Sequence, residues 1–218
     1  MGLALELGLL LELLLVEILS PKFFETYFLG EEYLPPKLYC TEYALKQYIS
    51  KMLDYVKAGR GLEDIGYKTK AGETIRITER EMLHLQDVRA IYQAGMILFA
   101  CLAGAFVLTA VWLVVRHKYR EACMGIVVAA VCIPVLCFAL FAWCRFDLSI
   151  LVIRGHELFF ENDLWILDPR KHPMVYLFSR GFYRHAANRF CIREVINLVV
   201  TAGFAICFAT IAKNKKRA

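Results

Sequence analysis

The sequence predicts a mainly helical integral membrane protein with four transmembrane helices and a small extracellular cap between the first and the second. Hydrophobic residues make up 59% of the 218 residues, and they are concentrated in long runs that suit a bilayer better than a soluble core. Clusters of lysine and arginine stand beside these runs, as they do on the cytoplasmic side of membrane helices. The net charge is only +5 and no basic stripe carries exposed aromatics, so nucleic acid is not an expected partner.

The first predicted span covers residues 1–20 and is short for a membrane helix. Its apolar run has the length of a signal peptide, but it lacks a basic start and an A-x-A cleavage site, so we expect an uncleaved helix. Glu6 and Glu17 fall within about 20° of each other around a helix. A single face turned toward other helices would therefore keep both carboxyl groups out of the lipid.

Residues 21–93 are predicted to form the extracellular cap. Apolar residues three to four positions apart predict a helix that opens at Thr41 and ends near Gly59, since glycine commonly terminates helices. The stretch from Tyr67 to Ile77 reads as a short hairpin that turns at Gly72.

A capping box formed by Thr78 and Glu81 predicts a second cap helix that leads into the second span. The remaining spans are predicted at residues 94–115, 121–144 and 193–212. A basic link separates the second and third spans, and residues 213–218 form a basic tail. The positive-inside rule then predicts a multi-pass protein of the cell membrane with both termini in the cytoplasm. The cap and residues 145–192, an extracellular loop, would face outward.

Most of the eight cysteines lie inside apolar runs, and no CxxC pair is present. Zinc binding and redox chemistry are therefore not expected, and most of these cysteines read as small packing residues. Cys144 and Cys191 are the two candidates for a reactive thiol, because Arg145 and Arg193 lie close to them in the sequence and a nearby positive charge favours the thiolate.

Two histidines in the outer segments are candidate catalytic residues. His84 is followed one helical turn later by Asp87, whose carboxylate on the same face would fix the tautomer and orientation of the imidazole. His156 follows the third span closely, so both histidines are expected at the outer rim of the membrane. Spacing alone leaves two other interpretations open: histidines that are merely solvated or packed, and a metal site built from these three side chains.

Aromatic residues gather in the second outer segment, between spans three and four. An interfacial aromatic belt would explain their number, but not the spacing of a tryptophan three residues before an Asp-Pro turn. The residues of interest are Phe159, Phe160, Trp165, Asp168, Pro169, Phe182 and Tyr183.

Taken in order, these motifs resemble the bacterial lipoprotein intramolecular transacylases, integral membrane proteins of Gram-positive bacteria. The resemblance rests on E-x-x-H-x-x-D-V before the second span, then H-x-x-F-F, W-x-x-D-P and F-[FY] between spans three and four. A helix end from Tyr55 to Gly59 also matches, and the likeness covers essentially the whole chain. The chain departs from the family in its glutamate-rich first span and in His172, which stands where the family tends to have an acid.

The resemblance implies an enzyme that moves an acyl chain within its own substrate, a diacylglyceryl-modified bacterial lipoprotein. The acyl chain would leave the sn-2 ester of the glyceryl group and arrive on the amino group of the N-terminal cysteine, giving a lyso-form lipoprotein. His84 and His156 would be the catalytic pair, with no cofactor and no metal. The supporting residues would be Asp87, Phe159, Phe160, Trp165 and Asp168, and the partners would be the lipoprotein and membrane lipid.

The chemistry of these residues agrees with such a reaction. Ester aminolysis needs a neutral amine and a proton for the departing glyceryl oxygen, and two histidines can supply a base and an acid near neutral pH. The alternative is a non-enzymatic membrane protein, such as a small assembly or transport subunit. That class would carry polar residues in the middle of its spans, and spans two and three have almost none.

Overall fold

A computed structural model describes residues 1–30, 38–143 and 147–215, and this part of the chain is mainly helical, as predicted. The helices are α1 (Gly2–Glu12, continued by a π-helical turn over Leu13–Glu17), α2 (Pro21–Gly30), α3 (Glu42–Ala58), α4 (Glu79–Val115), α5 (Tyr119–Trp143), α6 (Leu148–Phe159) and α7 (Arg180–Lys215). Strands β1 (Gly66–Lys68) and β2 (Thr74–Arg76) form an antiparallel pair. Short 3₁₀ turns cover Leu62–Asp64 and Pro173–Tyr176.

The chain divides into two compact units. One unit, which we name the helical unit, contains residues 1–13, 97–146 and 187–218. The other contains residues 14–96 and 147–186, and we name it the cap unit because it includes the residues predicted to form the cap. Each unit is assembled from segments that are far apart in the sequence, so neither could be recognised as one continuous stretch.

Two helices in the described part of the chain are long and apolar enough to cross a membrane, and they lie at Glu79–Val115 and Tyr119–Leu140. The first contains the second predicted span, residues 94–115, and the second covers most of the third predicted span, residues 121–144. Pro134 lies inside α5, which continues through it. Cys144, the last residue of the predicted third span, lies outside the described residues. The spans at 1–20 and 193–212 stay predictions.

Within the helical unit, α1 lies against α5 at a pair of glycines. A Cβ atom on Gly2 would lie 1.8 Å from the carbonyl oxygen of Gly125, so the two backbones approach more closely than a side chain permits. Glu6 is buried, and its Oε2 accepts a hydrogen bond from Nδ2 of Asn197 at 2.7 Å. Glu17, which was expected to be hidden on the same face, is only half-buried, because the π-helical turn breaks the α-helical periodicity before it.

In the cap unit, α3 begins and ends where the sequence predicts. The hydroxyl of Thr41 accepts a hydrogen bond from the backbone N–H of Ala44 at 3.2 Å and caps the first turn. Gly59 follows the last turn with a φ of 71°, a left-handed conformation that favours glycine. The predicted hairpin is also present, with β1 and β2 joined by a turn that contains Gly72.

The core of the cap unit is rich in aromatic side chains. The ring of Phe24 on α2 lies 4.9 Å from that of Phe182 on α7, measured between centroids. Helix α3 contributes one apolar face to the same cluster. The most deeply buried members are Phe23, Phe24, Leu38, Leu45, Tyr48, Met52, Leu53, Ile65 and Leu177. This core contains residues from both segments of the cap unit, 14–96 and 147–186, and so holds the two segments together.

The predicted capping box opens α4 and does more than cap it. The N–H of Thr78 donates to Oε2 of Glu81 at 2.7 Å, and the N–H of Glu81 donates to Oγ1 of Thr78 at 3.3 Å. The other carboxylate oxygen, Oε1, accepts a hydrogen bond from the backbone N–H of Met174 at 2.9 Å. Glu81 is fully buried, and it therefore fastens the second outer segment to the first turn of α4.

The second outer segment, predicted as a loop over residues 145–192, is more helical than expected. It contains α6, whose first turn is capped by Oδ1 of Asp147 accepting from the N–H of Ser149 at 2.8 Å. Helix α7 begins at Arg180 rather than at residue 193. Helix α6 is too short to read as a span and the first turns of α7 are too polar, so hydropathy alone does not reveal them.

Candidate active site

A cavity of about 500 Å³ lies inside the cap unit, a volume in the range of small-ligand sites. Its wall is mostly apolar, with side chains from α3, α4, α6, the 3₁₀ turn Pro173–Tyr176 and the first turn of α7. His84, His156 and Arg180 supply the basic groups among the lining residues. The wall therefore combines apolar surface with two imidazoles that can move protons and one permanently charged guanidinium.

The structure brings four of the predicted site residues together, and three of them, His84, His156 and Trp165, line the cavity. The imidazole rings of His84 and His156 lie with their centroids 6.0 Å apart. The ring of Phe160 lies 5.1 Å from His84 and 5.4 Å from His156, and the ring of Trp165 lies 5.1 Å from His156. Two aromatic side chains thus pack directly against the histidine pair.

The hydrogen bonding of His156 assigns its tautomer. Its Nδ1 lies 2.8 Å from the carbonyl oxygen of Val152, one turn earlier on α6. A carbonyl oxygen only accepts, so Nδ1 carries the hydrogen. In the neutral ring Nε2 then holds the lone pair, which makes Nε2 the atom able to accept a proton.

His84 is held neutral by its surroundings. It is 7% exposed, and burial lowers its pKa to about 4, with a further contribution from the neighbouring His156. The carboxylate of Asp87 opposes this shift only in part. The Nδ1 atom of His84 is buried and makes no hydrogen bond within the described part of the chain. At neutral pH His84 is therefore an uncharged imidazole in a dry setting.

Asp87 does not make the direct bond to His84 that the sequence predicts. Its Oδ2 instead accepts a hydrogen bond from Nδ2 of Asn162 at 2.9 Å. The Oδ1 atom of Asn162 accepts from the backbone N–H of Leu164 at 3.0 Å. Sequence reasoning missed Asn162 because the residue lies in an irregular loop, where no periodicity indicates what a side chain faces.

Two other predicted site residues lie away from the histidine pair. Phe159 is 63% exposed and does not line the cavity. The carboxylate of Asp168 binds the guanidinium of Arg170, which lowers the pKa of that carboxyl. The backbone N–H of Asp168 donates to Nδ1 of His172 at 2.8 Å. Asp168 and His172 therefore shape the Asp-Pro turn rather than face the cavity.

In the part of the chain that the structure describes, the remaining histidines and acidic residues form no metal-binding group. His185 packs against Phe23 and Tyr27, at 5.0 and 5.8 Å between ring centroids, and His117 lies in the link after α4. No group of three histidine, cysteine or acidic residues that would hold a metal occurs among residues 1–30, 38–143 and 147–215. None of the six cysteines whose side chains the structure describes lines the cavity. Cys144 and Cys207 are not among these six.

Arg180 is a lining residue that the sequence analysis did not single out. It stands in the first turn of α7, shortly before the aromatic pair Phe182 and Tyr183, and both of these also line the cavity. Burial raises the pKa of the Tyr183 hydroxyl to about 12. The nearby aromatic motif was the available signal for this stretch.

Together the fold and the site define a helical protein with two helices of membrane length and a histidine pair in an apolar, aromatic cavity. The family model described as lipoprotein intramolecular transacylase Lit matches residues 2–183, and the chain belongs to this family. It is accordingly an enzyme of the acyltransferase class, which removes the non-enzymatic alternative.

Solved structures agree with this assignment at the level of the fold. The membrane integral lipoprotein intramolecular transacylase Lit from Bacillus cereus is 18% identical, with a TM-score of 0.70 over 100% of this chain and 94% of that one. Two further structures of the Bacillus cereus protein carry a histidine replaced by arginine or by alanine. They are each 16% identical, with TM-scores of 0.69 and 0.67, over 99% and 100% of this chain and 90% and 93% of theirs. No curated protein matches the sequence significantly.

Proposed function

We propose that this protein transfers an acyl chain within a diacylglyceryl-modified bacterial lipoprotein, from the sn-2 glyceryl ester to the amino group of the N-terminal cysteine. The family supplies the reaction class, an intramolecular transacylation on a lipoprotein. The observation that carries the proposal is the pairing of His84 and His156, 6.0 Å apart, in the wall of a largely apolar cavity. Such a wall accepts an acyl chain beside groups that handle protons.

His156 acts as the base. Its Nε2 takes a proton from the cysteine amine as the nitrogen attacks the ester carbonyl carbon, which gives a tetrahedral intermediate. The carbon–oxygen bond to the glyceryl group then breaks, and His156 returns the same proton to the departing oxygen. The products are an amide and a glyceryl hydroxyl, so the enzyme ends with the protons it began with.

His84 acts as a neutral hydrogen-bond donor. Its buried Nδ1 has no partner among the described residues, and an orphaned N–H is rarer in proteins than an orphaned acceptor, so the hydrogen belongs on Nε2. An uncharged N–H in a dry cavity stabilises the oxyanion of the tetrahedral intermediate without reorganising solvent. The low pKa of His84 keeps it in this form.

The aromatic side chains beside the histidines hold the amine and the ester of the substrate close to each other. Attack within one lipoprotein closes a ring of about eight atoms, which is slow unless the amine and the ester are held together. Phe160 and Trp165 pack on the imidazoles and keep water from the ester. Their positions favour aminolysis over hydrolysis.

The membrane arrangement follows from the same account. We infer four spans, with the cap outside and both termini in the cytoplasm, supported by the two helices of membrane length and the basic link between them. In a cysteine-free background, Lys70→Cys should react with an impermeant thiol reagent in intact cells and Lys215→Cys should not. Labelling at position 215 would overturn the topology.

Mass spectrometry of a lipopeptide with deuterated acyl chains tests the function. Acyl migration leaves the total mass unchanged, so fragmentation must locate the chain on the amine. The purified protein, placed in unlabelled phospholipid, should give a deuterated N-acyl product with one ester lost. A free amine, or an unlabelled N-acyl chain taken from the phospholipid, would contradict an intramolecular transfer.

A further inference from the structure

Residues 160–165 form a strap that runs from the end of α6 and crosses α4 at the position of His84. Two polar contacts attach it there. Asn162 donates from Nδ2 to Oδ2 of Asp87 at 2.9 Å, and the guanidinium of Arg80 donates to the carbonyl oxygen of Asp163. Arg80 stands one turn before His84 and Asp87 one turn after it, so the strap is fastened on both sides of this histidine.

The side-chain amide of Asn162 makes two hydrogen bonds, one to α4 and one within the strap. Its nitrogen donates to α4, and its oxygen accepts from the N–H of Leu164 at 3.0 Å, which closes the turn of the strap. An amide has a donor and an acceptor on one planar group, whereas a carboxylate only accepts. Aspartate at this position would keep the turn but would face Asp87 with a second negative charge.

The strap carries the two aromatic side chains that pack on the histidines. Phe160 at its start contacts both imidazoles, and Trp165 at its end contacts His156. His84 retains only 7% of its surface exposed at this point. Detaching the strap would move the aromatic rings and admit water to the imidazole of His84.

We propose that Asn162 is a positioning residue, paired with Asp87, that holds the strap across His84 and keeps water from that imidazole. The proposal rests on the proposed function for its kinetic effect. It assigns Asp87 to the strap, and not to a direct hydrogen bond with His84.

Exchanging the two side chains separates these roles. Asn162→Asp sets two carboxylates against each other and breaks the pair, so it should slow acyl migration at least about tenfold. Asp87→Asn keeps an acceptor oxygen but loses the charge that strengthens the bond, so it should slow the reaction by less. The double variant restores a hydrogen bond with its direction reversed, from Asn at 87 to Asp at 162, and should recover to within about threefold of the parent. A direct role of Asp87 on His84 predicts no recovery, because position 87 then lacks a carboxylate.

Carbethoxylation of histidine by diethyl pyrocarbonate, located by peptide mass spectrometry, provides a readout that does not need turnover. His84 should be protected in the parent, labelled in Asn162→Asp and in Asn162→Ala, and protected again in the double variant. His117, in the link after α4, is the internal standard for labelling. Asn188→Asp, an exposed amide on α7, is the matched control and should change neither rate nor labelling.

The two experiments fail in different ways. If His84 is protected in the parent and labelled in the Asn162 variants, but the parent does not convert the lipopeptide, the proposed function is refuted and the role of Asn162 in holding the strap is still supported. Single variants that keep the parent rate and leave His84 protected would overturn the strap. So would a double variant that stays as slow and as reactive as Asn162→Asp.

Discussion

The Nδ1–H group of His156 donates to the carbonyl oxygen of Val152, with 2.8 Å between the two atoms. Both residues lie on α6, so the helix itself fixes the ring and presents the lone pair of Nε2 for proton transfer. His84 lacks such a partner in the part of the chain that the structure describes, and burial lowers its pKa. In the proposed mechanism the two histidines therefore have different roles, a base at 156 and a neutral donor at 84.

His84 predicts a loss of stability in acid. Its pKa falls from 6.5 to about 4 on folding, so between these values the unfolded chain binds a proton that the folded chain does not. The free energy of unfolding therefore decreases as the pH falls through this window, by up to about 3 kcal/mol, and His84 has no such effect above it. Thermal unfolding in detergent should show a smaller acid-induced decrease for His84→Gln. Identical pH dependences for parent and variant would refute the burial argument.

Removing the Glu81 carboxylate should lower the stability of the cap unit strongly, although Glu81 does not line the cavity. In Glu81→Ala, the N–H and hydroxyl of Thr78 and the N–H of Met174 lose their acceptor, which destabilises the cap unit by about 3 kcal/mol or more. Glu79→Ala, an exposed change in the same helical turn, should have an effect below about 0.5 kcal/mol. Chemical unfolding of the two variants measures the difference, and equal losses would count against the buried network.

Two glycines with similar backbone angles predict different responses to alanine. Gly59 and Gly61 have φ of 71° and 72°, so alanine strains either position by about 1 kcal/mol. A Cβ at Gly59 would also lie 2.6 Å from the guanidinium carbon of Arg89. Moving Arg89 aside breaks its hydrogen bonds to the carbonyl oxygens of Tyr55 and Val56.

Gly59→Ala should therefore destabilise the protein by about 1 kcal/mol more than Gly61→Ala. The extra loss should disappear when Arg89→Ala is already present, because the displaced bonds are then absent from both proteins. A double-variant cycle by chemical unfolding checks this. Additive effects would mean that Arg89 and Gly59 are independent.

The cysteines predict an absence of covalent catalysis. The substrate brings its own amine, and no described cysteine lines the cavity, so an acyl-enzyme is not needed. A variant with all eight cysteines changed to alanine or serine should still convert the diacyl lipopeptide. Loss of turnover in Cys191→Ser or Cys144→Ser, with the protein folded, would point to a thiol intermediate.

Much of the local structure follows from the sequence because each signal is short-range. The cap of Thr41, the helix end at Gly59 and the box of Thr78 with Glu81 involve neighbours within a turn, and all three are present. The bond from Met174 to Glu81 spans 93 residues and leaves no trace in spacing.

The candidate site divides in the same way. The motifs indicated His84, His156, Phe160 and Trp165, and the structure places these residues together. The spacing also predicts that Asp87 lies on the same helix face as His84, but the hydrogen-bond partner of Asp87 is Asn162, which lies in a loop distant in the sequence. A helical wheel reports which side chains share a face, and it does not report what covers that face.

Acyl migration on a synthetic diacyl lipopeptide by purified histidine variants tests the central claim most directly. The account predicts that His156→Ala lowers the rate by about 10² to 10⁴ and His84→Ala by about 10² to 10³, with folding intact. His117→Ala should equal the parent. Near-parent turnover in either the His84 or the His156 variant, with the N-acyl product confirmed by fragmentation, would contradict the paired role of these two histidines.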